Sequence, residues 1–499
     1  MWVKFWCAAG FAVLLPNLAA AQDITLTSRD GALSISGSLQ GYDGEFFRID
    51  SAYGPLTIDA QGVICDGPAC PDLTAPKAII RLVGEADAGA ALVRPLVQAF
   101  AQTRGLLYAA SPLGVAILTD PATDKTLAEF SFLPLPPDLA RAEVKAGRAE
   151  LILASATEPD FGERAVALDA LIPIVASDNP VPGISTLNLA KVLSGDVSNW
   201  AQIGGPDMPL VLHGLQPDSD LQRALSARLG RDIAATVTHP DLATMARAVA
   251  KDPWALAVTG RATAGDARKL PLSDSCGFPL LPSPLAVKAA DYPLTLPIYL
   301  LTPRRRLPLM AREFLEFLAL PAAQTAIASA GYIDRSPERQ PMTADGLRLI
   351  NAIQGAGEET TLTELKRLVD LMDGADRLSL TFRFEDGSNQ MDASSAESLT
   401  DLARLLEAGV FDGEALTLAG FSDGSGAAAT NLDLSQIRAA GVLAALKLAA
   451  PTLRDDQLPQ VVAFGEALPM ACDETGPGRR LNRRVEVWLK PAFGAKPKG

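Results

Sequence analysis

The sequence predicts a multi-domain chain of mixed α/β and α+β class, with a small antiparallel β module, a large α/β domain and a C-terminal α/β sandwich. Three observations carry this. Between residues 23 and 74, apolar and polar residues alternate in short runs separated by turn signals, the period of half-buried strands. From Lys77 to about Gln340, strand-like runs alternate with helical patterns, as in an α/β domain. From Ala375 to Phe493 the order is strand, helix, strand, helix, strand.

The 499 residues are enough for about three domains, each with its own core. Met1 to Ala21 has an early Lys4, an apolar core from Phe5 to Leu15 and the small-residue end Ala19-Ala20-Ala21. That is the pattern of a secretory signal peptide over residues 1–21, cleaved before Gln22. Cys7 lies inside the apolar core, so a lipid-modified N-terminus is not expected. The formal net charge of −14 argues against nucleic acid, because no basic stripe is present to neutralise phosphates. After the signal, no apolar run approaches the roughly 20 residues of a membrane-spanning helix. Export implies an oxidising compartment.

In residues 22–74, Ile24/Leu26, Leu33/Ile35, Phe47/Ile49 and Leu56/Ile58 mark about four strands, with turns at Asp30-Gly31, Asp43-Gly44 and Tyr53-Gly54-Pro55. That is a small meander with a packing or docking role. Cys65 and Cys70 bracket the turn D-G-P-A, so a local disulfide is expected. A metal site would need further ligands nearby, and the only histidines, His213 and His239, are far off in sequence. No metal or cofactor is expected. Cys276 and Cys472 are either free or paired across domains, and sequence leaves both open.

The second domain, residues 75–340, opens with a strand at Ala78 to Val83, then the loop Gly84 to Gly89 carrying Glu85 and Asp87, and a helix with Leu92, Leu96 and Phe100. A strand at Glu150 to Ala154 opens into Ser155-Ala156-Thr157. A third, Ala170 to Ala176, leads into Asn179-Pro180-Val181-Pro182, where a crossover between lobes is expected. The runs A-L-D-A-L-I-P-I-V-A-S-D-N-P and L-S-G-D-V-S-N-W-A-Q-I-G-G-P-D resemble the phosphate-binding proteins of ABC transporters and their relatives. The resemblance implies a two-lobed, type II periplasmic-binding fold whose cleft holds oxyanions with backbone N–H groups and hydroxyls.

The cleft loops depart from that pattern. Glu85 and Asp87 stand where the relatives carry a Ser/Thr-rich loop, and two carboxylates repel phosphate unless one is protonated and donates a hydrogen bond. The later loop, usually Arg followed by Ser-Gly-Thr, reads His213-Gly214-Leu215-Gln216-Pro217-Asp218-Ser219-Asp220. Ser155 and Thr157 remain where hydroxyls are expected. Both also fit plain loop capping, and the acids fit a solvated helix start. Three readings stay open: a different small ligand, a scaffold without one, and a phosphate or oxyanion receptor of an ABC-type transport system.

No nucleophile elbow, Walker-type loop or metalloprotease helix appears, and Glu358-Glu359 and Asp455-Asp456 lie in polar stretches. The expectation is a binding protein without catalytic residues. Residues 341–374 form a connector of two short helices, with stripes Leu347/Ile350/Ile353 and Leu362/Leu365/Leu368/Val369 packed onto a neighbouring domain.

In the last domain, 375–493 with a tail at 494–499, strands are expected at Leu378 to Phe384, Leu416 to Gly420 and Arg484 to Leu489. Helices are expected at Ala396 to Leu406 and after Asn431. The second helix presents Leu434, Ile437, Gly441, Ala444 and Leu448 as a stripe facing the sheet. Asp423 follows a strand end, and Arg438 lies on the helix with Asn431 about two turns before it, so opposite charges could hold a zwitterion. G-F-S-D at 420–423, N-x-x-L-S-x-x-R-A at 431–439, F-G-E-A-L-P at 464–469 and G-R-R-L-N-R-R-V-E at 478–486 closely resemble the OmpA-like peptidoglycan-binding domain. The resemblance implies non-covalent binding of diaminopimelate in the stem peptide, with Asp423 and Arg438 as ligand contacts. Ser422 belongs to the same motif, and Phe421 replaces the family's usual His or similar residue. Asn431 either positions the Asp423 loop or caps the helix. Arg483 and Arg484 are candidates for the rim, one of them turned outward, and Asn482 is read as a turn residue. The whole reads as an exported periplasmic protein held at the cell wall or the inner face of the outer membrane. Its expected partners are peptidoglycan and either a small anion or an envelope protein.

Overall fold

The computed structural model describes residues 24–28, 31–42, 46–70, 77–344, 346–354, 360–385 and 387–491. The signal peptide, Asp30, Asp43-Gly44, Glu358-Glu359 and the tail lie outside them. Among the described residues, no helix is long and apolar enough to cross a membrane.

The N-terminal module is an antiparallel sheet of five strands rather than four, ordered Gly54–Asp59, Phe46–Ser51, Ser34–Tyr42, Ile24–Ser28, Val63–Asp66. The fifth strand is too short for its alternation to be read as a separate run. It pairs with the first, Leu26 opposite Cys65, and Cys65 is joined to Cys70 as expected. Ile24, Leu26, Phe47 and Ile49 form the core, whereas Leu33 precedes its strand and is exposed.

The second domain is built on one long sheet. Its order is Val237–His239, Val211–Leu215, Ala255–Gly260, Gly162–Val175, Thr295–Thr302, Leu151–Ala154, Ala78–Gly84, Lys125–Pro134, Ala116–Asp120 and Leu107–Ala110. The strand Gly162–Val175 carries the chain between the lobes. Its first part pairs with Thr295–Thr302 as far as Ala170, and its second with Ala255–Gly260 from Leu171 onward. The crossover therefore sits at Ala170/Leu171, inside a strand, and not at Asn179 to Pro182. From Ala165 to Val175 the strand is almost wholly buried, with Asp169 its one charged residue there, and so gives no turn signal where it passes from one lobe to the other. Asn179 instead staples a loop, donating to the Pro253 carbonyl at 2.7 Å and accepting from Val181 N–H at 2.9 Å. The chain returns to the first lobe through Asp291 and the strand Thr295–Thr302.

The C-terminal sheet runs Arg339–Pro341, Asp376–Arg383, Arg484–Pro491, Glu414–Phe421, Gln460–Ala463. Its first strand crosses the boundary expected at residue 340. One face packs on the helices Ala393–Glu407 and Ala428–Ala449. The other packs on the connector helices Gly346–Gln354 and Leu362–Met372 through Ala352, Leu365, Leu368 and Met372. The connector is therefore part of this domain's core, although Ile350, Ile353, Leu362 and Val369 of the expected stripes are exposed.

The helix Ala428–Ala449 buries a different face from the one expected. Asn431, Ser435, Arg438, Ala439, Val442 and Leu446 face inward, while Ile437 and Leu448 are 52% and 84% exposed. The inward stripe is half polar, so hydropathy periodicity selects the wrong side.

Candidate functional site

The C-terminal site is assembled where the strand Glu414–Phe421 ends. Gly420 is required there, because a Cβ would lie 2.2 Å from the Ser435 carbonyl oxygen, so strand and helix approach backbone to backbone. Three bonds knit the loops: Ser422 N–H to Gly465 O at 2.8 Å, Phe464 N–H to Gly420 O at 3.0 Å and Gly465 N–H to Ser435 Oγ at 3.1 Å.

Asp423 is buried, accepting from Ser425 N–H at 3.0 Å and from Arg483 Nη1 at 2.7 Å. Arg438 is 5% exposed, stacks on Phe384 at 5.5 Å, and has Nε–H and Nη1–H without acceptors among the described residues. Burial, then Arg483, lowers its pKa, and Asp423 opposes them. Asp423 and Arg438 thus share one field without forming an ion pair with each other. Unpaired buried guanidinium donors are costly unless a ligand satisfies them.

Asn431 lies inside the helix, whose N-cap is Ala427, so the capping role is excluded. Its amide donates to Ser425 O at 3.2 Å and Glu466 Oε1 at 2.6 Å, and its oxygen accepts from Ser422 Oγ at 3.3 Å. It positions the Asp423 loop. Asp473 accepts from Gly424 N–H at 2.8 Å and from Asn482 Nδ2 at 2.6 Å. Asn482 itself accepts from Met470 N–H and Ala471 N–H. Glu466 and Asp473 were not singled out by sequence; the F-G-E-A-L-P motif carried a signal for Glu466, whereas nothing local marked Asp473.

Neither arginine of the 483–484 pair is turned outward. Arg483 holds Asp423, and Arg484 is 0% exposed, donating to Glu486 Oε1 at 2.6 Å and Leu468 O at 2.8 Å. A strand residue that looks solvated in sequence is buried here because Glu486 neutralises it. Phe421 stacks on Phe464 at 5.8 Å within the core.

In the second domain, Gly84 at φ +126 ends its strand with a prospective Cβ 2.0 Å from Leu153 O, and Glu85 N–H donates to that carbonyl at 2.9 Å. This places the start of the helix Ala86–Thr103 beside the strand end that leads to Ser155. Glu85 is part-buried, with Oε2 enclosed and without a partner among the described residues. Burial, then the carboxylates of Asp220, Asp87 and Asp169, push its pKa up to about 8, while Arg223 opposes. Asp87 is raised by burial and by Asp241 and Asp220. Asp220 opens the helix Asp220–Leu229 of the other lobe and pairs with Arg223 at 2.6 Å. The cleft therefore gathers acids from both lobes.

Thr157 is exposed and bonds to the Glu163 side chain, and among the described residues no hydrogen bond joins it or Ser155 to Glu85. His213 is not a cleft-loop residue. It lies in a strand, buried, with Nδ1 3.0 Å from His239 Nε2.

Two family models match the chain: a PBP superfamily domain over residues 127–321 and the OmpA family over 383–483. The chain carries both domains in that order. Over 70 residues it is 36% identical to the phosphate-binding protein PstS of Borreliella burgdorferi, covering 14% of this chain and 20% of that protein. Over 108 residues it is 32% identical to the probable lipoprotein YiaD of Escherichia coli, covering 22% of this chain and 47% of that protein. The chain thus spans about a fifth and about a half of these two relatives. An ABC-type phosphate transport receptor from Vibrio cholerae aligns with a TM-score of 0.41 at 17% identity, over 51% of this chain and 99% of that one.

Proposed function

We propose that the protein is a cell-wall-attached periplasmic binding protein, whose C-terminal domain holds the diaminopimelate residue of peptidoglycan stem peptides without covalent chemistry. The observation that carries the reading is the buried Arg438 fork with Nε–H and Nη1–H unpaired beside Asp423, inside an OmpA-family domain. A carboxylate accepts both donors of such a fork, and an ammonium on the same carbon meets Asp423 by displacing or sharing Arg483. Asn431, Ser422 and Asp473 hold the loop rather than the ligand. The binding-protein-like domain and the match to a lipoprotein support an envelope location.

Retention of the full-length protein on purified sacculi tests the site. Each lost charge-assisted bond is worth about 1.5–3 kcal/mol, so Asp423→Ala and Arg438→Ala should each weaken retention by roughly tenfold or more. Unchanged retention of both variants, folded, overturns the assignment.

For the cleft, the enclosed Oε2 of Glu85, without a partner among the described residues, favours an oxyanion over the acidic appearance of the loops. Glu85, with its pKa raised to about 8, is largely protonated at neutral pH and is free to donate a hydrogen bond to an oxyanion, removing one of the repelling charges in the cleft. The stretch similar to PstS supports the same class. Equilibrium dialysis against labelled phosphate at pH 6 and pH 9 is the test: binding that weakens as Glu85 ionises supports it. No binding at either pH leaves the cleft domain as a scaffold. Neither site calls for catalysis.

A further inference from the structure

The C-terminal domain grips the two-lobed domain on both sides of its crossover. On the first lobe, the Glu397 carboxylate accepts from Ala165 N–H at 2.8 and 3.1 Å, at the bulge of the crossing strand. Arg335 ties the same place down, donating to Ala165 O at 3.1 Å, to Glu397, and to Asp401 at 2.6 Å. On the return path between lobes, Asp291 accepts from Arg377 at 2.7 Å and Arg383 at 2.8 Å, all three buried. On the second lobe, Cys276 is bonded to Cys472, whose N–H donates to Asp274 Oδ2 at 2.9 Å.

Two lobes joined by the strand Gly162–Val175 and the return segment at 291–295 close by rotating about those two segments. That rotation moves residues 274–276 relative to Ala165, while the C-terminal domain holds both, through Cys472 and Glu397. The disulfide also adjoins the wall site directly: the residue after Cys472 is Asp473, which braces the Asp423 loop through Gly424 N–H.

We propose that the C-terminal domain is a clamp across the hinge of the two-lobed domain, so that the angle between the lobes and the setting of the Asp423 loop are coupled through the Cys276–Cys472 bond. Closure of the cleft pulls residues 472–473 and resets the loop. By reciprocity, a ligand in the loop biases the cleft by the same free energy. The assignment of the loop as the wall site rests on the reading above, but the mechanical coupling does not.

Hydrogen exchange of the full-length protein, with no wall fragment present, tests the clamp separately from wall binding. The Cys276→Ser/Cys472→Ser variant is compared with wild type. Amides at 168–171, at 291, 292, 294 and 295, and at 423–426 should exchange at least about fivefold faster, with sheet amides at 379–382 and 485–488 unchanged as the folding control. Should those control amides also lose protection, a dithiol reductant applied to a folded Cys65→Ser/Cys70→Ser variant opens the same bond, with the same expectation. Changes confined to 272–280 and 470–474, by either route, overturn the proposal.

Discussion

Replacing Glu85 by Gln removes one ionisation from the cleft and keeps its shape. In the folded protein, burial and the carboxylates of Asp220, Asp87 and Asp169 raise Glu85 from 4.5 to about 8. Unfolded, it titrates near its ordinary value. Between those two pH values the folded state keeps a proton that the unfolded state has released, so the contribution of Glu85 to stability falls as pH rises from about 4.5 to about 8. At about 1.4 kcal/mol per pH unit, the loss is on the order of 2–5 kcal/mol, the lower figure allowing for solvent at a part-buried carboxyl. Glu85→Gln has no such loss. Urea midpoints of both proteins at pH 5, 6, 7 and 8 should agree near pH 5 and diverge upward, with the variant the more stable by pH 8. A variant less stable at every pH refutes the reasoning: Glu85 would then be an ionised acid at a helix start, worth about 0.3–1 kcal/mol through the dipole.

Three further outcomes follow from the same structure. Asp291→Ala leaves Arg377 and Arg383 buried beside a missing partner and should cost about 3–5 kcal/mol, read from the urea midpoint. Gly420→Ala drives a Cβ against the Ser435 carbonyl; it should cost about 1–3 kcal/mol and weaken sacculus retention together with thermal stability. Arg483→Ala removes a competitor for Asp423 along with a brace of the loop, and these oppose each other. Its sacculus affinity should stay within about threefold of wild type, under 1 kcal/mol, in contrast to Arg438→Ala.

What the sequence made legible divides by how far apart the interacting residues are. The OmpA-family motifs are local: the strand end at Gly420, the loop acid Asp423 and the helix residues Asn431 and Arg438 fall within twenty positions, and the structure puts them on a strand end, a loop and a helix. The turn between Cys65 and Cys70 is local too. Partnerships across hundreds of residues leave no such pattern. Cys276 and Cys472 are 196 positions apart, Ala165 and Glu397 are 232 apart, and each looks like an ordinary residue in its own stretch.

The misreading of the helix Ala428–Ala449 has a different origin. Its sequence offers two stripes, one with Leu434, Ile437 and Leu448, the other with Asn431, Ser435 and Arg438. Hydrophobic periodicity assigns the first to the core, because burying a guanidinium and two polar side chains is ordinarily unfavourable. The fold buries the second instead. Ser435 bonds to Leu432 O and Gly465 N–H, and Asn431 to Ser425, Glu466 and Ser422. On this face of the helix, Arg438 alone retains donors without acceptors among the described residues. A helix face that violates patterning, and whose polar groups are all satisfied except one buried cation, is what the proposed wall-binding site requires. The departure from periodicity and the proposed wall-binding site are therefore one feature, and the outer stripe with Ile437 and Leu448 is exposed because the helix cannot bury both.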